Sequence, residues 1–184
     1  MTTLAPSRAF ALFDTPVGAC GLVWGECGLI GALLPEANPN ATRMRAQQRF
    51  AGAKEAAPDA DVQQVMHRVT ALLHGTHDDL ADVPLDLRAV HAFHRRVYEL
   101  ARRIVPGKTL TYGEVALQLG DAGAARAVGQ ALGANPFPII VPCHRVLAAG
   151  QRSGGFSAYG GAKMKLRLLQ IEGAPLGGAP GLFD

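Results

Sequence analysis

Short apolar runs broken by turn residues fill the first part of this chain, and helical spacing governs most of the rest. Phe10–Phe13 and Val17–Trp24 are β-prone stretches punctuated by Asp14, Pro16 and Gly21, and Leu29–Leu34 resumes the pattern after Gly28. They predict a small antiparallel sheet. Residues 35–40, PEANPN, interrupt the pattern before the mixed-polarity segment Ala41–Ala53, and Asp61–Leu73 then places Val62, Val65, Met66 and Val69 at helical spacing. Residues 1–85 therefore read as an α/β support domain. Residues 74–86 combine histidine, glycine, acidic residues and Pro84 and have the composition of a linker.

Residues 86–184 read as a second, mainly helical domain. Val90, Phe93, Val97, Leu100 and Ile104 recur on one helical face, with Arg95, Arg96, Arg102 and Arg103 on others. Pro106–Gly107 ends that helix. Thr111 followed by Glu114 has capping-box spacing at the start of a further helix, which closes over Leu117–Gly120. A turn at Asp121–Gly123 leads into Ala124–Ala134, and the pair fits a helix-turn-helix and equally an ordinary helical hairpin. The glycine- and proline-rich stretch from Gly173 to Pro180 is expected to pack loosely.

Composition sharpens this division. With 184 residues, 48% of them hydrophobic, the chain has enough apolar material for a substantial core. The net charge of +3 is unevenly spread: residues 1–85 hold six Lys/Arg against nine Asp/Glu, and residues 86–184 hold twelve against six. The second half is thus the candidate for a polyanionic partner, although a solvated basic face gives the same count. Three cysteines, Cys20, Cys27 and Cys143, make no disulfide framework and fit a reducing cytoplasm. Neither a secretory leader nor a membrane-spanning run is evident, so a soluble cytoplasmic protein is expected.

Candidate chemistry concentrates at PCHR, Pro142–Arg145, which follows the apolar run FPIIV. Cys143 can attack an electrophilic carbon once a base removes its proton, and His144 is the nearest base. Neighbouring side chains need not point together, so contact through water is the more natural geometry, with Glu172 available to orient the imidazole. An inert cysteine remains the alternative. Arg145 suits shaping the turn through hydrogen bonds. Cys20 and Cys27 lie among apolar residues, which favours burial over metal binding. Zinc-finger spacing, GxSxG, GxxxxGK[ST] and GxGxxG motifs are all missing, which disfavours metal, hydrolase and nucleotide-cofactor readings.

Several segments carry a more specific signal: TLTYGEVA at 109–116, RAVGQALGANP at 126–136, IIVPCHRV at 139–146 and YGGAKMKLRLLQIEG at 159–173. Together with PLDL at 84–87 and TPVGACGLVWGECGLIGALLPE at 15–36, they make the chain resemble the O6-alkylguanine-DNA alkyltransferase family, also called methylated-DNA–protein-cysteine methyltransferases. The resemblance implies transfer of an alkyl group from guanine O6 in double-stranded DNA to Cys143, irreversibly and once per protein. It implies that Glu172 orients His144, which activates Cys143 through water, and that Asn135 arranges the turn. Tyr112 would contact the extruded guanine and help its departure, and Arg126 would fill the gap left in the DNA stack. A helix-turn-helix used in the minor groove would bring Ala127, Gly129 and Gly133 to DNA, with Ala125 and Ala131 completing a small-residue face.

Cys143, Val146, Phe156, Ser157, Tyr159 and Gly160 are the implied base pocket, and either Phe156 or Tyr159 stands at its aromatic boundary. Lys163, Lys165 and Arg167 are candidates for phosphate contact or for a solvated helix face. No cofactor or metal is implied, and a monomer is expected. A noncatalytic sensor of alkylated DNA is the alternative from another class, and a cysteine hydrolase the weaker one.

Overall fold

In the computed structural model, residues 8–175 are described. Strand β1 (Arg8–Thr15) pairs antiparallel with β2 (Gly18–Gly25), which pairs antiparallel with β3 (Gly28–Leu33), as the alternating pattern predicted. A two-residue strand, β4 (Lys54–Glu55), joins parallel to β1 and gives the sheet order β3-β2-β1-β4. Alternation buries both faces. Phe10, Val23 and Leu33 meet Ala46 and Phe50 on one side, and Ala11, Leu22 and Ala32 join the main core on the other. Gly31 is needed at the first interface, because the Phe50 ring occupies the space that a Cβ there would take.

The segment after PEANPN is helix α1 (Pro39–Arg49), started by Asn38, whose side chain accepts from the Ala41 amide at 2.9 Å. Helix α2 (Ala60–Leu73) follows Asp59, which caps Val62 N at 2.9 Å, and buries the Val62, Val65, Met66 and Val69 stripe. Residues 74–86 differ from a loose linker. Leu80 is fully buried despite a left-handed φ of 53°, Val83 is buried, and Leu85 bridges to Leu29 beside β3. Arg102 donates to the carbonyls of Leu80 and Val83 at 2.9 and 2.8 Å, tying this strap to the next helix.

Helix α3 (Ala92–Ala101) is shorter than its periodic stripe, and Ile104 is buried beyond its end. After β5 (Leu110–Thr111), helix α4 (Tyr112–Gln118) begins with the expected capping box: Glu114 N donates to Thr111 Oγ1 at 3.1 Å and Thr111 N donates to Glu114 Oε2 at 2.6 Å. A single turn of 3-10 helix, Ala122–Ala124, connects to α5 (Ala125–Gly133), and Tyr98 of α3 donates to the Ala131 carbonyl at 2.8 Å. Strand β6 (Val146–Leu147) pairs parallel with β5, and α6 (Gly161–Ile171) completes the described chain. One hydrophobic cluster runs from Cys20 and Leu22 through Leu80 to Val97, Val128 and Cys143, so sheet and helical parts share a core. Most of the glycine- and proline-rich stretch lies outside the described residues. No helix among the described residues is long and apolar enough to cross a membrane.

Candidate active site

Cys143 opens a 3-10 turn, Cys143–Arg145, at the end of a loop that the backbone holds under strain. Ile139 sits at φ 76°, a left-handed conformation costly for a β-branched residue, and it persists because the surroundings over-determine it. Asn135 does much of that holding: its side-chain amide donates to the Val141 carbonyl at 2.9 Å, and its oxygen accepts from Phe137 N at 2.8 Å. Cys143 N in turn donates to Val141 O at 2.8 Å. The loop thus presents the thiol in one orientation.

Behind the thiol lies a buried charged cluster. His144 Nε2 is 2.8 Å from Glu172 Oε1, and Arg145 grips the same carboxylate with Nε at 3.0 Å and Nη2 at 2.8 Å. Arg145 Nη1 also donates to the Ile104 carbonyl. Burial pushes the Glu172 carboxyl up, but the contacts of His144 and Arg145 outweigh it and hold the group at about 2. Burial drives the His144 imidazolium below its ordinary value against the pull of Glu172, so the permanent charge partner is Arg145. A neutral His144 that donates its Nε2–H in a hydrogen bond to Glu172 leaves Nδ1 as a bare lone pair, and Nδ1 has no hydrogen-bond partner among the described residues.

The thiol itself is raised by burial, with the Asn135 side chain and the Lys165 charge acting in the opposite sense. Lys165 is a correction to the surface reading of α6. It is fully buried, donates from Nζ to the Val146 carbonyl at 2.6 Å, and lies 5.7 Å from the Tyr112 ring centre and 6.0 Å from that of Phe156. Burial lowers its ammonium to about 8 while Cys143 pulls it up. The clue was in the spacing, since Lys165 shares a helical stripe with Leu168, Leu169 and Glu172. The neighbouring cations differ: Lys163 is exposed, and Arg167 donates to the Pro16 carbonyl at 2.6 Å.

A cavity of about 620 Å3 opens over Cys143, walled by Tyr112, Arg126, Gly129, Gly133, Phe156 and Ser157 among others. Burial and the neighbouring Cys143 raise the Tyr112 phenol, so it remains a proton donor at neutral pH. Arg126 is exposed on the outer face of α5, and Ala127 and Gly129 are half-buried beside it. Ala131 departs from the expected small-residue face, because it points into the core and is fully buried. Val146 and Gly160 do not line this cavity: Val146 is fully buried with its carbonyl engaged by Lys165, and Gly160 precedes α6 with φ 85°. Phe156 flanks it, while Tyr159, 55% exposed, stands at a second, smaller chamber beside Cys143. Cys20 is buried and pushed up to about 12, chiefly by burial, whereas Cys27 is exposed in the β2–β3 turn, contrary to the expected burial. No three His, Cys, Asp or Glu side chains among the described residues gather as metal ligands.

Residues 92–174 match the DNA-binding domain of 6-O-methylguanine DNA methyltransferases. A methylated-DNA–protein-cysteine methyltransferase of Methanothermobacter thermautotrophicus is 32% identical over 163 residues, covering 89% of this chain and 84% of that protein. This chain belongs to the methylated-DNA–protein-cysteine methyltransferase family. The O6-methylguanine methyltransferase of Mycobacterium tuberculosis superimposes with a TM-score of 0.69 at 33% identity, over 96% of this chain and 99% of that one. A structure of the mycobacterial protein in complex with DNA aligns with a TM-score of 0.68 at 32% identity, over 91% and 95% of the two chains. The sheet and helices of this methyltransferase family member thus follow the family architecture, and alkyl-transfer repair of DNA is the family's activity.

Two arginines escaped the sequence reading. Arg45 and Arg49 of α1 reach the second chamber beside Cys143, and Arg49 Nη2 donates to the Asn135 carbonyl at 3.0 Å. Their sequence neighbourhood, an exposed polar helix, held no sign of that contact.

Proposed function

We propose that this protein repairs O6-alkylguanine in double-stranded DNA by moving the alkyl group irreversibly to Cys143 Sγ, one group per chain. The observation that carries this reading is the line Glu172–His144 beside a buried thiol on the wall of a cavity with ample room for a base. Arg145 keeps Glu172 ionised, Glu172 fixes the imidazole with Nδ1 unprotonated, and Nδ1 takes the thiol proton through a water. The Lys165 charge stabilises the resulting thiolate. Sulfur attacks the alkyl carbon, the carbon–O6 bond breaks with its electron pair leaving on guanine, and Tyr112 supplies a proton to the departing base. Asn135 contributes by holding the loop rather than by moving a proton.

The DNA contact uses α4 and α5 as a helix-turn-helix set against the minor groove. Ala127, Gly129 and Gly133 keep the approaching face slender, and Arg126, beside the cavity mouth, replaces the extruded nucleotide in the stack. Extrusion is required because an atom inside a duplex cannot reach a thiol at the bottom of a pocket.

Incubation with duplex DNA carrying O6-methylguanine, followed by intact-protein and peptide mass spectrometry, tests this. One methyl on Cys143 with guanine restored is expected, and Cys143→Ala should accept none. Tight lesion binding with unmodified protein would favour the sensor instead.

A further inference from the structure

Cys143 lies on the wall of two spaces. Besides the cavity under Arg126, a chamber of about 120 Å3 adjoins the thiol, and the two share Leu132, Gly133, Cys143, Phe156 and Ser157. Its far wall comes from the sheet and α1, and its charged lining among the described residues is Glu36, Arg45 and Arg49. Arg45 Nε is 3.9 Å from Glu36 Oε1, a loose pairing that leaves the chamber with one net positive charge. Arg49 spends one nitrogen on the Asn135 carbonyl and forms no other hydrogen bond among the described residues.

The displacement chemistry gives this chamber a use. Sulfur, carbon and O6 stand nearly in line as the bond changes hands, so anything attached to the transferred carbon projects sideways from that line. A methyl needs no room there, whereas a longer group must enter the space adjoining the sulfur. A carboxylate on that group would be repelled by the Cys143 thiolate unless a cation stood beside both. We propose that the chamber is a subsite for O6-alkyl groups ending in a carboxylate, with Arg49 as its principal contact and Arg45 at its rim. The proposal rests on the alkyl-transfer reading above and names a substrate class for it. The S–C bond forms as the C–O6 bond breaks, the carboxylate passes through unchanged, and an S-carboxyalkylcysteine remains. Burial lowers the Arg49 guanidinium and Cys143 acts in the opposite sense, in keeping with their proximity.

Single-turnover transfer from duplexes carrying O6-methylguanine or O6-carboxymethylguanine tests the subsite, the readout being the ratio of the two rates. Arg49→Met should lower the carboxymethyl-to-methyl ratio about ten-fold, the value of a charge-assisted hydrogen bond, and Arg49→Lys should retain most of it. Glu36→Gln removes the chamber's carboxylate and should raise the ratio, a gain that no folding defect imitates. Equal losses on both lesions in Arg49→Met, with no rise in Glu36→Gln, would overturn the subsite and leave Arg49 as support for Asn135. If the unsubstituted protein transfers no methyl group, the alkyl-transfer reading itself fails, an outcome distinct from a flat ratio.

Discussion

Arg68 and Arg145 hold carboxylates with nearly the same geometry and for different ends. Arg68 on α2 contacts Asp78 at 2.7 and 2.8 Å and Asp82 at 2.8 and 3.1 Å, pinning the strap of residues 74–86. Arg145 contacts Glu172 at 2.8 and 3.0 Å. The side chains of Arg68 and Asp78 are 24% and 22% exposed, and those of Arg145 and Glu172 are 1% and 3% exposed. Nearer the surface, water still reaches each charge, and the pair gains less by meeting. In the interior both charges have lost their water and are held only by each other, His144 and the Ile104 carbonyl. The same ion pair is a tether in one place and an obligatory unit in the other.

Removing a carboxylate from each cluster separates the two cases most strongly. Glu172→Gln leaves Arg145 buried without its counter-charge and should destabilise the protein by about 3–5 kcal/mol in urea unfolding. It should also abolish methyl transfer from O6-methylguanine DNA, because His144 loses the group that sets its tautomer. A Glu172→Gln protein of near-normal stability would mean that the buried pair is solvated after all.

Acid titration sharpens the contrast at intermediate size. The Glu172 carboxyl is held at about 2, below the ordinary carboxylate range, so the unfolded chain takes up the proton first as pH falls. Its stabilising contribution is complete above the ordinary carboxylate value, about 4.3, and drains away as pH drops towards 2. His144 acts in the same direction from about pH 6.5 downward, since burial lowers its imidazolium in the folded state. Stability measured from pH 7 to 3 should therefore fall in the unsubstituted protein, and more shallowly in Glu172→Gln. Parallel pH curves for the two proteins would exclude Glu172 as the source.

The smallest effect belongs to the part-exposed cluster. Asp78→Asn should cost about 1 kcal/mol or less, shrink further in high salt, and leave methyl transfer at its normal rate. A salt-independent loss of several kcal/mol would show the strap to be as dependent on its charges as the active-site turn is.

Much of this division was visible in the chain itself. The strands alternate because Phe10 and Ala11 must face opposite ways, and the capping box at Thr111 and Glu114 is a contact between residues three apart. His144 and Glu172 were candidates from the chemistry a cysteine nucleophile needs, Asn135 came through a family resemblance, and the fold brings Glu172 onto His144 from 28 positions away. Residues 74–86 misled because histidine, glycine and acids compose a surface strap as readily as a linker, and only Leu80, Val83 and Leu85 distinguish them.

What the amino-acid order determined by itself was local: hydrophobic period, helix starts, the PCHR turn and the basic second half. Tertiary structure decided which polar groups leave water. Lys165 enters the core because the Val146 carbonyl, 19 positions earlier, waits there as a partner, while Lys163 on the same helix finds none among the described residues and remains exposed. Arg49 meets Asn135 across 86 positions, and Cys27 stays outside although its neighbours Gly28 and Leu29 pair and pack. A buried charge depends on a partner supplied by a distant element: the helical stripe turns Lys165 inward, but it does not say which carbonyl waits there.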